Sequence, residues 1–203
     1  MRWILVCGGE FAAEKFCLEE GDVLVGVDSG YAKIKDLAEV DCVVGDFDSL
    51  GYVPEGVKVL RHDPVKDYTD TQLALEYAVQ NGAKECVVYG GLGGRVDHTL
   101  ANLQTGYAFA LKGVRVRFIG KDCTAFYITD KAELYGEEGR FFSLFAMDKA
   151  EKVSIKGAKY EISGIDIDNT YPLGVSNAFT GEKCSVSVKS GVLLAIIDDA
   201  GVV

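Results

Sequence analysis

Aspartates recur in this chain directly behind short apolar runs. Asp28-Ser29-Gly30 follows Val23–Val27, and Gly45-Asp46-Phe47-Asp48-Ser49 follows Asp41–Val44. Lys66-Asp67-Tyr68-Thr69-Asp70 closes the loop behind Val57–Leu60, and Gly90-Gly91-Leu92-Gly93-Gly94-Arg95-Val96-Asp97-His98 follows Cys86–Tyr89. In an open α/β sheet, ligands bind beyond the carboxyl ends of the strands. If these runs are strands of one such sheet, a single crevice collects Asp28, Asp46, Asp48, Asp67, Asp70 and Asp97, together with Lys66 and Arg95. Carboxylates a few ångströms apart repel strongly at reduced dielectric, and a divalent cation is the usual neutraliser. An all-carboxylate donor set in a chain with 2 histidines points to a hard ion, Mg²⁺ or Mn²⁺, rather than zinc.

The glycine-rich loop has neither the Gly-Lys-[Ser/Thr] of a Walker A loop nor the spacing of a dinucleotide fingerprint. Its glycines still precede a helical stretch, so backbone N–H groups around Gly91, Gly93 and Gly94 can approach a phosphate, and Arg95 adds a fork for its oxygens. Each feature taken singly has a local explanation. Asp70 suits the first turn of a helix, Asp46 and Asp48 suit a turn, and His62 and His98 suit local hydrogen bonding. Collected at successive strand ends, they read as a metal–polyphosphate site.

The elements that must carry these loops are legible as alternating patterns. Trp3–Cys7, Val23–Val27, Asp41–Val44, Val57–Leu60, Cys86–Tyr89 and Val114–Ile119 read as strands, and Phe11–Glu20, Tyr31–Leu37, Thr71–Val79 and His98–Leu111 as helices. Thr69 and Gln72 fit a capping box at the start of the third helix. Continuous apolar strands separated by helices predict a mostly parallel, Rossmann-like sheet covered on both faces. Beyond residue 121 the texture changes. Thr124–Ile128, Phe141–Ala146, Lys152–Ile155, Cys184–Val188 and Val192–Ile197 are β-branched or aromatic runs separated by Gly, Asn and Asp, which predicts a β-sandwich or barrel-like domain. The expectation is an α/β domain over 1–121 followed by an all-β domain over 122–203.

A net charge of −10 disfavours nucleic acid and anionic membranes as partners, and is compatible with a cationic ligand. The apolar run near the N-terminus, Trp3–Cys7, is too short for a signal peptide or a membrane span. None of the 6 cysteines forms a C-x-x-C pair, and Cys7, Cys42 and Cys86 fall inside strand-like runs. Buried free thiols in a reducing cytoplasm are expected.

The series Val27-Asp28-Ser29-Gly30, Gly45-Asp46-Phe47-Asp48-Ser49, Asp67-Tyr68-Thr69-Asp70 and the glycine loop running on to Asn102 resembles the thiamin pyrophosphokinase family, as do Gly157-Ala158-Lys159-Tyr160 and Gly174-Val175-Ser176-Asn177. The resemblance runs nearly end to end. It implies transfer of pyrophosphate from ATP to thiamin, giving thiamin diphosphate and AMP, in a homodimer with thiamin bound between subunits. It further implies that Asp46, Asp48 and Asp70 are metal ligands and that Asp28, with Ser29 and Gly30, lies on the nucleotide side. Arg95 and Asp97 would face the phosphates and thiamin, while Tyr160, Ser176 and Asn177 would form the thiamin pocket. Lys66 stands where some members carry glutamine, and Tyr160 where others carry tryptophan.

Two other readings compete. Asp46-Phe47-Asp48 imitates the motif of a haloacid-dehalogenase-type phosphohydrolase, with Asp198-Asp199 as its late acidic pair. That motif normally follows the first strand, and the glycine loop would then have no task. A non-catalytic thiamin or nucleotide sensor would have no need to keep every metal carboxylate.

Overall fold

The computed structural model describes residues 1–61 and 68–198, in two compact units. Lys66 and Asp67, with His62 and Asp199, lie outside the described residues. The first unit comprises Met1–Thr105 and Gly113–Lys121, the second Gly106–Lys112 and the chain from Asp122 onward.

In the first unit, β1 (Arg2–Val6), β2 (Val23–Val27), β3 (Cys42–Gly45), β4 (Lys58–Arg61), β5 (Glu85–Tyr89) and β6 (Arg115–Ile119) pair in parallel in the order β6-β5-β1-β2-β3-β4. The chain begins mid-sheet, walks outward to β4, then crosses back beside β1. The order therefore reverses between β1 and β5, the place where such sheets open a crevice at their carboxyl ends. Beyond their first residues, β1, β2 and β5 are buried, and β3 is buried throughout, which fits coverage on both faces.

Among the described residues three α-helices accompany these strands. α1 (Tyr31–Ile34) is shorter than the pattern at Tyr31–Leu37 predicts, whereas α2 (Asp70–Gln80) and α3 (Val96–Leu111) stand where expected. Thr69 caps α2 by accepting the Gln72 N–H at 3.2 Å. The helix predicted over Phe11–Glu20 is absent, and only Ala13–Lys15 forms a 3₁₀ turn. The reason is tertiary. Phe11 and Phe16 both pack edge-on against Tyr89, at 6.1 and 5.4 Å, but five residues along an α-helix are rotated by about 140° and cannot share a face.

The second unit holds β7 (Cys123–Ile128), β8 (Lys131–Tyr135), β9 (Phe141–Ala146), β10 (Lys149–Lys156), β11 (Ile162–Asp168), β12 (Gly174–Ala178), β13 (Lys183–Ser187) and β14 (Leu193–Asp198). They pair antiparallel in the orders β12-β9-β14-β7 and β11-β10-β13-β8. Phe142, Leu144, Leu193 and Ala195 from one set join Leu134, Val153, Ile155 and Val186 from the other in one buried core, a sandwich by construction. Sequence patterning did not mark β8, β11 or β12 as strands.

All six cysteines are free. Burial raises the thiol pKa of Cys7, Cys42 and Cys184 to about 11 and of Cys86 to about 12, so these four are inert near neutrality. Among the described residues no helix is long and apolar enough to cross a membrane.

Candidate metal–phosphate cleft

A cleft of about 850 Å³ opens at the carboxyl ends of β1, β2, β3 and β5. Asp28 enters it immediately after β2, in a 3₁₀ turn with φ of +50°. The end of β3 comes up close beside it: a Cβ on Gly45 would stand 3.1 Å from the Asp28 Cα. Phe47 has φ of +66° and is 3 % exposed. Its ring is turned inward, leaving the carboxylates on either side of it in the cleft.

The outcome is a convergence of Asp28, Asp46 and Asp48, whose ligand oxygens all lie within 4.8 Å of one another. The backbone N–H of Asp48 donates to Asp46 Oδ1 at 3.1 Å, and Ser49 Oγ donates to Asp28 Oδ2. Asp28 Oδ1 is buried and has no hydrogen-bond partner. The negative charge of Asp46, and to a lesser degree that of Asp28, raises the Asp48 pKa above its ordinary value. Asp70, at the first position of α2, lines the same cleft but stands outside this triad. The sequence places Asp28 in one crevice with Asp46 and Asp48, and the family resemblance puts Asp28 on the nucleotide side with Asp70 as the third metal ligand; the meeting of Asp28, Asp46 and Asp48 depends on the β2–β3 pairing.

On the facing side, Gly90, Gly93 and Gly94 adopt φ of +66°, +82° and +66°, which the bends of the loop require. Asn102, buried on α3, donates to the Gly91 carbonyl at 2.8 Å, and Thr99 Oγ1 donates to the Gly93 carbonyl at 3.2 Å. Arg95 and Asp97 form a two-point ion pair, Nε to Oδ1 at 3.2 Å and Nη2 to Oδ2 at 2.6 Å. Their side chains are 72 % and 64 % exposed, so both remain within reach of a ligand. The pairing lowers the Asp97 pKa.

Gly8 and Gly9, which follow β1, also line the cleft, and sequence reasoning missed them. Their signal was the echo of Gly90-Gly91 behind β5. A Cβ on Gly9 would stand 2.5 Å from the Gly90 carbonyl oxygen, and one on Gly8 2.4 Å from Ser29 Oγ. Ser29 lines the cleft, whereas Gly30 is buried against β1.

Tyr160, Ser176 and Asn177 belong to the second unit. Asn177 is buried, and its amide is spent on Tyr160: Nδ2 donates to the Tyr160 carbonyl at 2.8 Å, and Oδ1 accepts the Tyr160 N–H at 3.0 Å. Tyr160 itself is 57 % exposed. Ser176 is exposed, with φ of +58°, and its N–H donates to Ser143 Oγ at 3.1 Å.

Two family models match this sequence: the thiamin pyrophosphokinase catalytic domain over residues 15–118, and the thiamin pyrophosphokinase vitamin B1 binding domain over residues 128–193. A thiamine pyrophosphokinase of Bacillus subtilis is 24 % identical over 188 residues, 88 % of either chain. The crystal structure of a Bacillus subtilis thiamine pyrophosphokinase superposes with a TM-score of 0.85 at 23 % identity, covering 98 % of this chain and 100 % of that one. A thiamin pyrophosphokinase family protein of Enterococcus faecalis gives 0.82 at 27 % identity, covering 98 % and 99 %.

Proposed function

Since the chain belongs to the thiamin pyrophosphokinase family, we propose that the cleft at its strand ends seats the ATP polyphosphate and its metal. The chain is a thiamin diphosphokinase, moving pyrophosphate from ATP to thiamin and releasing AMP. The observation that carries the assignment to this cleft is the convergence of Asp28, Asp46 and Asp48 around a buried, unpartnered Asp28 oxygen. A buried carboxylate oxygen without a donor is costly unless a cation meets it. The donor set suits Mg²⁺ or Mn²⁺. Asp28, Asp46 and Asp48 would hold the ion, with Asp70 at hand in the same cleft. When bound, Mg²⁺ supplies charge neutralisation to the phosphate oxygens.

The chain's own groups do the remaining work by placement and charge, which is most of what phosphoryl-type transfer requires. Gly8, Gly9 and the Gly90–Gly94 loop let backbone approach the phosphates. Arg95, released from Asp97, absorbs the charge that grows on them, with Lys66 as a second cation. Asp97, an exposed carboxylate in the first turn of α3, is suited to face the cationic thiazolium. In the second unit, the exposed Tyr160 ring offers a stacking surface. Ser176 offers a polar contact, and Asn177 serves by fixing the Tyr160 backbone. The thiamin site is shared across a homodimer; the support in this chain is apolar surface on and before the edge strand β12, where Tyr171, Leu173 and Val175 are exposed. Six free thiols fit work in the cytoplasm.

The decisive assay supplies Mg-ATP and thiamin and separates the products chromatographically. AMP and thiamin diphosphate in equal amounts, lost on adding EDTA, are expected. ADP or free phosphate in place of AMP would instead favour a kinase or phosphohydrolase of another type.

A further inference from the structure

The carboxylates and the glycine loop leave open what holds the Gly8-Gly9 turn. Lys33, on α1, donates from Nζ to the Gly8 carbonyl at 2.7 Å and also to the Gly9 carbonyl. Both carbonyls belong to residues that line the cleft. The helix that carries this lysine is firmly seated. Ile34 is fully buried, and a Cβ on Gly30, just before α1, would stand 1.8 Å from the Val6 carbonyl oxygen. α1 is therefore pressed on the end of β1, and Lys33 reaches back over the loop that leaves that strand.

Peptide units are planar, so a carbonyl drawn one way turns the next N–H the other way. With the Gly8 carbonyl facing Lys33, the Gly9 N–H donates to the Gly90 carbonyl at 3.0 Å. Gly90 leads directly to Gly91, whose carbonyl Asn102 holds. A line of backbone hydrogen bonds thus runs from Lys33 to the glycine loop. The ammonium is half-buried, and desolvation lowers its pKa. It lies near enough to act electrostatically on the Cys7 thiol, as Asp70 and Asp28 also do. A cation is thereby kept behind a cleft whose other titratable groups are mostly acids.

We propose that Lys33 is a positioning residue for the nucleotide: it fixes the Gly8-Gly9 turn, through it the Gly90-Gly91 loop, and adds positive charge for the polyphosphate. This rests on the reading of the cleft as the ATP site. Lys33→Met removes the charge and both hydrogen bonds, whereas Lys33→Arg keeps them. Lys33→Met is expected to raise KM and Kd for Mg-ATP roughly tenfold through misplaced loops, with KM for thiamin moved less than about twofold, and Lys33→Arg to recover most of the loss. Gly9→Ala, whose Cβ would press on the Gly90 carbonyl, is expected to reproduce the nucleotide defect. Lys33→Gln, which removes the charge but keeps a polar side chain, carries the test if Lys33→Met does not fold. Mg-ATP binding within about twofold of wild type in the folded variants overturns the proposal, as does equal weakening of both substrates without rescue by arginine. Asp48→Asn, assayed in parallel, separates the two levels. Full turnover in Asp48→Asn removes the cleft assignment and this proposal with it; a dead Asp48→Asn beside an unaffected Lys33→Met removes the role of Lys33 alone.

Discussion

Asp28 and Phe47 occupy left-handed backbone at φ of +50° and +66°, a conformation that costs a non-glycine residue about 1–2 kcal/mol. Added to this is the repulsion among Asp28, Asp46 and Asp48, so the cleft is destabilising without a cation to neutralise it. Asp46→Asn removes one of the repelling charges. In EDTA at neutral pH its melting temperature is expected to match or exceed that of wild type. On adding Mg²⁺ wild type gains stability by mass action, the variant gains little, and turnover in the variant is lost. Equal Mg²⁺ stabilisation of both proteins would count against the assignment. Arg95→Lys keeps the charge but loses the two-point fork. A fall in kcat of roughly ten- to a hundredfold is expected, because charge grows on the phosphates toward the transition state; a change confined to KM for thiamin would place Arg95 elsewhere. At this scale the sequence announces most of the cleft, since Asp46, Asp48, Asp70, Arg95 and Asp97 stand in short dense motifs. It is silent on Lys33, because a lysine on a one-turn helix looks like any solvated lysine.

At the scale of elements, the six parallel strands fall within a residue or two of the apolar runs that predict them, because a strand covered on both faces leaves an unbroken hydrophobic trace. The Phe11–Glu20 stretch misleads because its aromatic spacing is used for contacts with Tyr89, not for a helix face. β8, β11 and β12 are hidden by acids, lysines and glycines on half-exposed strands, where alternation is diluted. One clamp between elements is itself testable. Arg2, at the start of β1, grips Asp22 just before β2 through Nε to Oδ1 at 2.9 Å and Nη2 to Oδ2 at 2.6 Å, and the Asp22 side chain is 5 % exposed. The Arg2 hydrogen bond holds the Asp22 pKa below its usual 3.8. Asp22→Asn should cost about 2 kcal/mol, typical of hydrogen bonds to a charged group, when measured by urea unfolding at pH 7. For a depressed carboxylate the stabilisation is complete above the unfolded pKa and disappears as pH falls through the folded one. The difference between wild type and Asp22→Asn should therefore persist at pH 5 and shrink below about pH 4. A gap that stays constant into stronger acid would mean that the charge is not its source.

For the whole molecule, the excess of acids, −10 in net charge, draws a cationic substrate, so the apparent association rate of thiamin should fall as ionic strength rises. The proposed sharing of the site makes a sharper demand. Asp48→Asn chains mixed with Ser176→Ala/Asn177→Ala chains, each inactive alone, should regain about a quarter to a half of the activity per dimer, since an isologous pair then contains one intact site. Heterodimers that form but stay inactive would confine the pocket to one chain. A last consequence concerns modularity. α3 changes allegiance along its length, counting with the first unit through Thr105 and with the second from Gly106 to Lys112, and Phe109 and Ala110 in the latter stretch are buried. The boundary suggested by texture, at 121, would therefore make a poor crossover point for swapping halves between relatives. A fragment of residues 122–203, which lacks Gly106–Lys112, is expected to bind hydrophobic dye and to aggregate more readily than the full chain. The two units interleave along the chain, so no single crossover is expected to separate them without dividing one.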